Sequence, residues 1–314
     1  MNASQLLQRA MRTPPSYFVF LALLATLWIT NPNMLNVNVL GIFIRQAVPL
    51  GILVLGQLLV MNTRSIDLSF GGIILIINYF ISSGIFSGTP AFLIILLCIL
   101  TGTGVGLFNG LMIGKRRASA VIVTLAVSIV LIGVVEYLAN GKPPGNVPKY
   151  LNDIYNTKFW FVPLPVLFWV CLSALLALFM SKFVFGRFIA SVGENPVAAH
   201  FSGVPVERTV VVAHTIAGFL AALGALVQTA SIAVGSVRLG PELVMNSIAA
   251  TILGGVIFGR GSGGVWGPFF GVLSFALLFV VMTTFGVQEA GKLVAQGVII
   301  LLAAIFYGLR ENKT

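Results

Sequence analysis

Long apolar runs follow one another through almost the whole chain, and they constrain the fold more than any other feature. A membrane-spanning helix needs about 20 mostly apolar residues. Ten segments meet or approach that requirement: 15–31, 39–61, 67–86, 91–114, 118–139, 161–181, 210–231, 244–258, 265–285 and 290–309. The sequence therefore predicts an all-α, polytopic membrane helix bundle of about ten spans, with residues 1–314 forming a single transmembrane domain.

Charge supports this interpretation. Only 8% of the 314 residues are charged, against about 25% in soluble domains. The net charge of +10 is explained by the positive-inside rule, and no nucleic-acid partner is expected. With both termini placed in the cytoplasm, twelve Lys and Arg residues fall inside and five outside. The inside residues are Arg9, Arg12, Arg64, Lys115, Arg116, Arg117, Lys182, Arg187, Arg208, Arg260, Arg310 and Lys313.

Two of the ten segments are weak. Segment 67–86 begins in polar sequence, and segment 244–258 is short and interrupted by glycines, so each is expected to be a partial or broken span. The stretches "LVMNTRSIDLSFGG" (59–72) and "LGGVIFGRGSGGVWGPFFG" (253–271) each join an apolar run, a charged break and a Gly-rich restart. Paired interruptions are typical of transporters with internal repeats, which predicts that these two stretches correspond.

Glycines recur every four residues along "GTGVGLFNGLMIG", at Gly102, Gly106, Gly110 and Gly114. On a helix they form one bare stripe along which a neighbouring backbone can approach closely. We therefore expect tight packing of this span against another helix.

The sequence contains no pattern of catalytic or metal-binding residues, so no catalytic residue, metal site or bound cofactor is predicted. The stretch "GVQEAGKL" (286–293) resembles a phosphate-binding loop. However, Leu293 replaces the Ser or Thr that would hold magnesium. If transport is driven, the driver is another chain or an ion gradient.

Ionisable residues in membrane sequence are functional candidates by default. Asp67 has a structural interpretation, in which Ser65 caps the following helix and Arg64 pairs with Asp67, and an alternative one, in which Asp67 contacts substrate. Arg45 either extends toward the outer interface or faces a polar cavity. Glu136 is expected at the outer interface. The outer loop 140–160 contains the Pro-rich stretch "GKPPGNVPKY" (141–150), which is too polar to span and is expected to be extended.

The small number of acidic residues within the spans argues against an ion-coupled carrier. It favours a passive translocation frame that is driven by another protein. Neutral polar side chains within the spans can hydrogen-bond an uncharged polyhydroxyl solute, although hydrogen bonds between helices explain each one equally well. These residues are Gln57, Asn78, Asn109, Thr124, Ser128, Gln228, Thr229 and Asn246.

The longest inside loop, 182–209, contains the polar stretch "GENPVAAHFSGVP" (193–205). Asn195 is a favourable N-cap, Pro196 suits the first helical position, and Gly203 suits a left-handed residue after the helix. A helix this short is marginal alone in water. It is held by a partner or by neighbouring loops, or it is an ordinary connector.

Four stretches carry a family resemblance. The stretch "GRFIASVGENPVAAHFSGVPVERT" (186–209) closely resembles the signature loop of permease subunits of bacterial sugar ABC importers, in the ribose-type branch. The segments "RSIDLSFGG" (64–72), "VIVTLAVSIVLIG" (121–133) and "GGVIFGRGSGGVWGPFFG" (254–271) agree with that family in order. The similarity covers roughly residues 40–309.

The resemblance implies a type II importer-like permease in a bacterial inner membrane, surrounded by lipid. It implies import of a monosaccharide or similar polyhydroxyl solute, with ATP hydrolysed on separate cytoplasmic ATPase subunits. A second copy or a sister permease would complete the path, and an extracytoplasmic binding protein would deliver the solute. A branched-chain amino-acid or nucleoside permease is the related alternative. An ion-coupled carrier and a receptor-like membrane protein are alternatives of other classes.

In that family the short helix is a coupling helix that docks on the ATPase. The resemblance assigns this contact to Glu194, Asn195, Pro196, Val197, Ala198, Ala199, Phe201, Ser202 and Gly203, with Val197 and Phe201 expected to face the ATPase. Asp67 and Ser69 join the translocation-path candidates Gln57, Asn78, Asn109, Thr124, Ser128 and Asn246 as part of the family's segment. Thr63 and Arg64 depart from the small residues usual in the family, and Glu136 stands near its common Arg-Gly.

Overall fold

A computed structural model of the chain describes residues 13–142, 144–256 and 263–311. Several expectations lie outside these residues: those for Arg9, Arg12, Arg260 and Lys313, and for the part 257–262 of the Gly-rich segment.

The described residues are overwhelmingly helical. The helices are α1 (Pro15–Thr30), α2 (Val37–Met61), α3 (Phe70–Ser82), α4 (Ala91–Gly110), α5 (Ala120–Ala139), α6 (Lys149–Asn156), α7 (Leu164–Lys182), α8 (Val184–Glu194), α9 (Pro196–Phe201), α10 (Val206–Ile232), α11 (Pro241–Leu253), α12 (Trp266–Thr284) and α13 (Glu289–Glu311). A 3₁₀ turn, Pro32–Leu35, precedes α2, and a π-helical turn, Leu111–Lys115, continues α4. Strands β1 (Lys158–Phe159) and β2 (Val162–Pro163) form a minimal antiparallel hairpin.

The all-α polytopic fold is confirmed, and the number of full-length spans among the described residues is below the predicted total of about ten. Each of the ten predicted segments contains a helix. Within the described residues, six helices are long and apolar enough to cross a membrane: α2, α4 with its π turn, α5, α7, α10 and α12. Helices α1, α3 and α11 are apolar but shorter.

The two ends of the bundle differ. We call one end the α9 face; it carries α8, α9, residues 62–66 and residues 116–119. We call the other end the α6 face; it carries α6, the hairpin and residues 83–90. In the outer loop 140–160 the described residues within 141–148 of the Pro-rich stretch are not helical, as expected, whereas residues 149–156 form a helix. Helix α6 forms there because Leu151 and Tyr155, four residues apart, are buried against the bundle.

Helices α2 and α10 form the centre of the bundle, and α4 packs on α10 along the predicted glycine stripe. A Cβ atom added at Gly106 would lie 2.3 Å from the carbonyl oxygen of His214, and one at Gly102 would lie 2.7 Å from that of Gly218. Real Cβ atoms do not approach this closely. The stripe therefore brings the two backbones into direct contact, as predicted.

Helices α3 and α11 are matched half-length helices of 13 residues each. Each follows a long central helix and a non-helical break, residues 62–69 after α2 and residues 233–240 after α10. Their N-terminal ends meet, since a Cβ at Gly240 would lie 2.4 Å from the carbonyl oxygen of Gly71. From that point α3 runs to the α6 face and α11 runs to the α9 face.

The two breaks and half-helices occupy comparable places after two central helices that run in opposite directions, which is typical of an inverted repeat. The predicted partner of 59–72, residues 253–271, extends from the end of α11 into α12 and includes residues outside those described. The segment 233–240 returns into the bundle because distant residues bind it. Ser236 N donates to Asn78 Oδ1 at 2.8 Å, and Gly235 N donates to the carbonyl of Gly145 at 2.7 Å. Such contacts leave no local signal in the sequence.

Candidate functional site

A buried polar cluster lies where α3 begins. Asp67 is fully buried, and its Oδ1 accepts hydrogen bonds from Ser69 N at 2.8 Å and Ser69 Oγ at 2.5 Å. Its Oδ2 accepts from Asn109 Nδ2 at 3.3 Å and lies 3.2 Å from His214 Nδ1. A buried carboxyl group is costly without such partners. The cluster therefore fixes the break 62–69 to α4 and to α10.

The structure changes the predicted role of the residues around Asp67. Helix α3 begins after Ser69, and Ser65 does not cap it. Arg64 does not pair with Asp67 but reaches the α9 face, where it donates to the carbonyls of Gly193 and Glu194. The partner of Asp67 is His214, which lies 147 positions away on another helix. The available signal was a histidine inside an apolar span.

Other translocation-path candidates lie between helices. Asn78 bonds Thr229 and the 234–236 segment, and Thr124 bonds its own helix and the break 62–69. Ser128 is buried on α5. Gln57 is fully buried, and its side-chain amide has no hydrogen-bond partner within the described residues.

A cavity of about 560 Å³ opens on the α6 face among α2, α10, α11, α12 and α13. Two of the polar residues that the sequence singled out for hydrogen bonding to a solute, Gln228 and Asn246, line it. Asn246 Oδ1 accepts a hydrogen bond from Gln296 Nε2. Residues 238–240 form part of the wall, so the N-terminal end of α11 borders the cavity. Its polar lining consists of Gln46, Gln228, Arg238, Glu242, Asn246, Thr283, Thr284, Glu289 and Lys292.

Sequence reasoning missed most of this lining because these residues lie near the ends of apolar segments, where polar residues are ordinary. Two of them neutralise each other, since Lys292 Nζ lies 2.9 Å from Glu289 Oε2. Arg45, left open by the sequence, donates to Asn156 Oδ1 at 2.7 Å and stacks over Tyr155 with a guanidinium-to-ring distance of 5.0 Å. It thereby fastens α6 to α2 at the α6 face.

The short polar helix is present as α9, and its predicted punctuation is confirmed. Asn195 Oδ1 accepts from the backbone N–H groups of Val197 and Ala198, both at 3.0 Å. Gly203 has φ of +83°, a conformation that glycine adopts at little cost. Ala199 is buried against Val192, which holds the helix to α8.

The opposite side of α9 is open. Val197 is 65% exposed and Phe201 is 84% exposed. Beside them lies a groove of about 820 Å³ formed with the end of α4 and the start of α10. Its charged residues are Arg117, Glu207 and Arg208. An apolar side of a short helix, next to a groove, is a surface that another protein can cover.

A bundle of spanning helices, matched half-helices and a polar cavity defines a membrane transport permease. Comparison with known proteins gives the same class. Residues 39–304 match the family described as branched-chain amino acid transport system / permease component, and the chain belongs to this family. It is a multi-pass inner-membrane protein and a transport component.

Individual relatives are similar along nearly their whole length. The chain is 30% identical to the ribose import permease protein of Bacillus subtilis (strain 168), over 88% of this chain and 87% of that protein. It is 31% identical to the autoinducer 2 import system permease protein of Enterobacter sp. (strain 638), over 95% and 88%. It is 28% identical to the galactose/methyl galactoside import permease protein of Haemophilus influenzae, over 95% and 94%. No solved structure matches the chain.

Proposed function

We propose that the chain is the permease subunit of an ATP-driven, binding-protein-dependent importer of a monosaccharide or similar polyhydroxyl solute. The observation that carries this proposal is α9, a capped helix whose two apolar side chains are exposed outside the spanning helices. The solutes named for its relatives are ribose, autoinducer 2 and galactose or methyl galactoside. ATP hydrolysis belongs to separate ATPase subunits, and this chain binds no cofactor.

The ATPase docks on α9 and the adjoining groove. Val197 and Phe201 supply apolar contact area. The resemblance extends the contact to Glu194, Asn195, Pro196, Ala198, Ala199, Ser202 and Gly203. The α9 face is cytoplasmic, as are both termini, because the sequence places more Lys and Arg residues on this side than on the other, as the positive-inside rule requires. The basic residues described on that face are Arg64, Lys115, Arg116, Arg117, Lys182, Arg187 and Arg208.

The solute enters through the cavity on the α6 face, where an extracytoplasmic binding protein delivers it. Asn246, Gln46 and Gln228 offer hydrogen-bond donors and acceptors without net charge, which suits hydroxyl groups. A second copy or a sister permease completes the path, and lipid surrounds the exposed apolar helices. Asp67, Ser69 and Asn109 act indirectly by fixing the start of α3.

A branched-chain amino acid is the second candidate solute. The family's description names branched-chain amino acids, and Arg238 and Glu242 place both charge signs at the cavity. However, the relatives named above are import permeases for ribose, autoinducer 2 and galactose, which do not favour this class. Competition in an uptake assay separates the two classes. Excess unlabelled ribose or galactose should reduce uptake of a labelled monosaccharide, and excess leucine should not. Inhibition by leucine alone would assign the amino-acid class.

Docking is tested by Phe201→Asp in the complete transporter. An exposed aromatic anchor at an interface contributes about 2 kcal/mol or more, so ATPase affinity should fall about 30-fold. The matched control is Trp160→Asp, an aromatic residue that is 87% exposed on the opposite face. The control should retain the ATPase, and both variants should insert normally. Unchanged ATPase binding and uptake in Phe201→Asp would contradict the proposed contact.

A further inference from the structure

The side chain of Arg64 connects α8 and α9 to the break between α2 and α3. Its Nε donates to the carbonyl of Gly193 at 2.8 Å, and its Nη2 donates to the carbonyl of Glu194 at 2.5 Å. These carbonyls end α8 and directly precede Asn195, the cap of α9. The last carbonyls of a helix lack partners within the helix. The rigid guanidinium fork binds two of them together.

The backbone at this position does not favour arginine. Arg64 has φ of +62°, the left-handed conformation that follows the end of α2. Glycine is the usual residue there, because a side chain costs about 1 kcal/mol or more in this conformation. The resemblance likewise implies a small residue at this point. An arginine here is therefore explained by what its side chain binds.

The break 62–69 carries the connection into the bundle. Asn62 Nδ2 donates to the carbonyl of Gly263, in the linker between α11 and α12, at 3.0 Å. Five residues further, Asp67 is bonded to α4 and contacts α10 through Asn109 and His214. The same short segment therefore contacts the start of α3 and Gly263, and Gly263 in turn lies against Val256, three residues after the end of α11.

We propose that Arg64 is a positioning residue that transmits displacement of α9 to the break 62–69 and so to the half-helices. This proposal rests on the proposed ATPase docking at α9. Ile189 of α8 also packs in the core, but apolar contacts are non-directional and allow sliding. The two bonds of Arg64 fix the register between the docking helix and the break. The side chain of Arg64 is exposed, so we assign its two bonds to holding this register, and the melting temperature of the Arg64 variants separates that role from a purely structural one.

The test is the number of solute molecules transported per ATP hydrolysed by the complete transporter in proteoliposomes. The variants are Arg64→Gly, which suits the left-handed backbone, and Arg64→Lys, whose single ammonium cannot reproduce the fork. In Arg64→Gly the ATPase should bind with unchanged affinity and hydrolyse ATP. The transport ratio should fall about fivefold or more, the lower end of typical coupling between sites. Arg64→Lys should fall between Arg64→Gly and the unaltered protein.

The control variant is Lys182→Ala, which removes the same charge from the same face and should keep the ratio. An unchanged ratio in Arg64→Gly would overturn the proposal. So would a lower melting temperature with transport and hydrolysis reduced in parallel, because that result describes a structural role alone. Failure of the unaltered chain to bind any ATPase would instead contradict the proposed function, so the two failures are distinguishable.

Discussion

Replacing Gly106 with alanine tests how closely α4 and α10 approach. The added Cβ would lie 2.3 Å from the carbonyl oxygen of His214 and 2.9 Å from the Cα of Gly218. Ordinary contacts of this kind begin at 3.4 Å, so the two helices must separate locally by about 1 Å. The atom displaced belongs to His214 itself. The same separation therefore disturbs the contact of 3.2 Å between His214 and Asp67.

Gly104 supplies the matched control, because it lies on the same helix and a Cβ there would meet nothing within 4 Å. Both substitutions gain about 1 kcal/mol from the higher helix propensity of alanine. Gly106→Ala also carries an overpacking cost of about 1–3 kcal/mol. The two variants should therefore differ by that cost. At about 2–4 °C per kcal/mol, Gly106→Ala should melt about 2–12 °C below Gly104→Ala.

The melting temperature is measured in detergent with a thiol-reactive dye in a Cys171→Ser background. Cys98 then reports unfolding, because it is fully buried on α4, whereas Cys171 is exposed. Equal melting temperatures for the two alanine variants would refute the close approach of α4 and α10. A lower temperature for Gly104→Ala would refute the assigned direction of the glycine stripe.

Three further predictions concern the docking helix and the polar residues. Gly203→Pro should abolish ATPase binding while the protein still inserts, because proline cannot adopt φ of +83° or donate the 3.0 Å hydrogen bond to the carbonyl of His200. The control variant Gly203→Asn should retain ATPase binding. Normal uptake by Gly203→Pro would contradict this prediction. Gln228→Leu should reduce uptake at nearly unchanged melting temperature, because Gln228 is a half-buried residue of the cavity wall. Asn78→Leu should instead lower the melting temperature by removing bonds to Thr229 and the 234–236 segment, at about 1 kcal/mol each; the reverse pattern would show that the two roles are exchanged. Uptake by the unaltered protein and by Asp67→Asn should both be insensitive to a protonophore. If the unaltered protein instead showed protonophore-sensitive uptake, and Asp67→Asn abolished that uptake, the result would favour an ion-coupled carrier.

Features that depend on residues close together in the sequence were predictable. The apolar runs located a helix in all ten segments, and the glycine stripe identified the close face of α4. The termini of α9 followed from Asn195 and Gly203, whose roles depend on the local backbone alone.

Features that depend on distant contacts were not predictable. The sequence predicts an ion pair between Asp67 and the nearby Arg64, but the partner of Asp67 in the structure is His214 on α10. The break 233–240 was missed because Asn78 and Gly145 hold it in place. The cavity was missed for a related reason, since its lining comes from five separate helices. Local sequence patterns do not indicate which helices pack against each other.

Uptake of a labelled monosaccharide into proteoliposomes tests most directly whether this permease is driven through α9. The vesicles contain the chain with or without its ATPase, with the binding protein outside and ATP inside. Uptake should require both the ATPase and ATP, and it should disappear in Phe201→Asp. Uptake by the purified chain alone would contradict an ATP-driven mechanism. Full uptake by the Phe201→Asp variant would contradict the role of α9 in docking the ATPase.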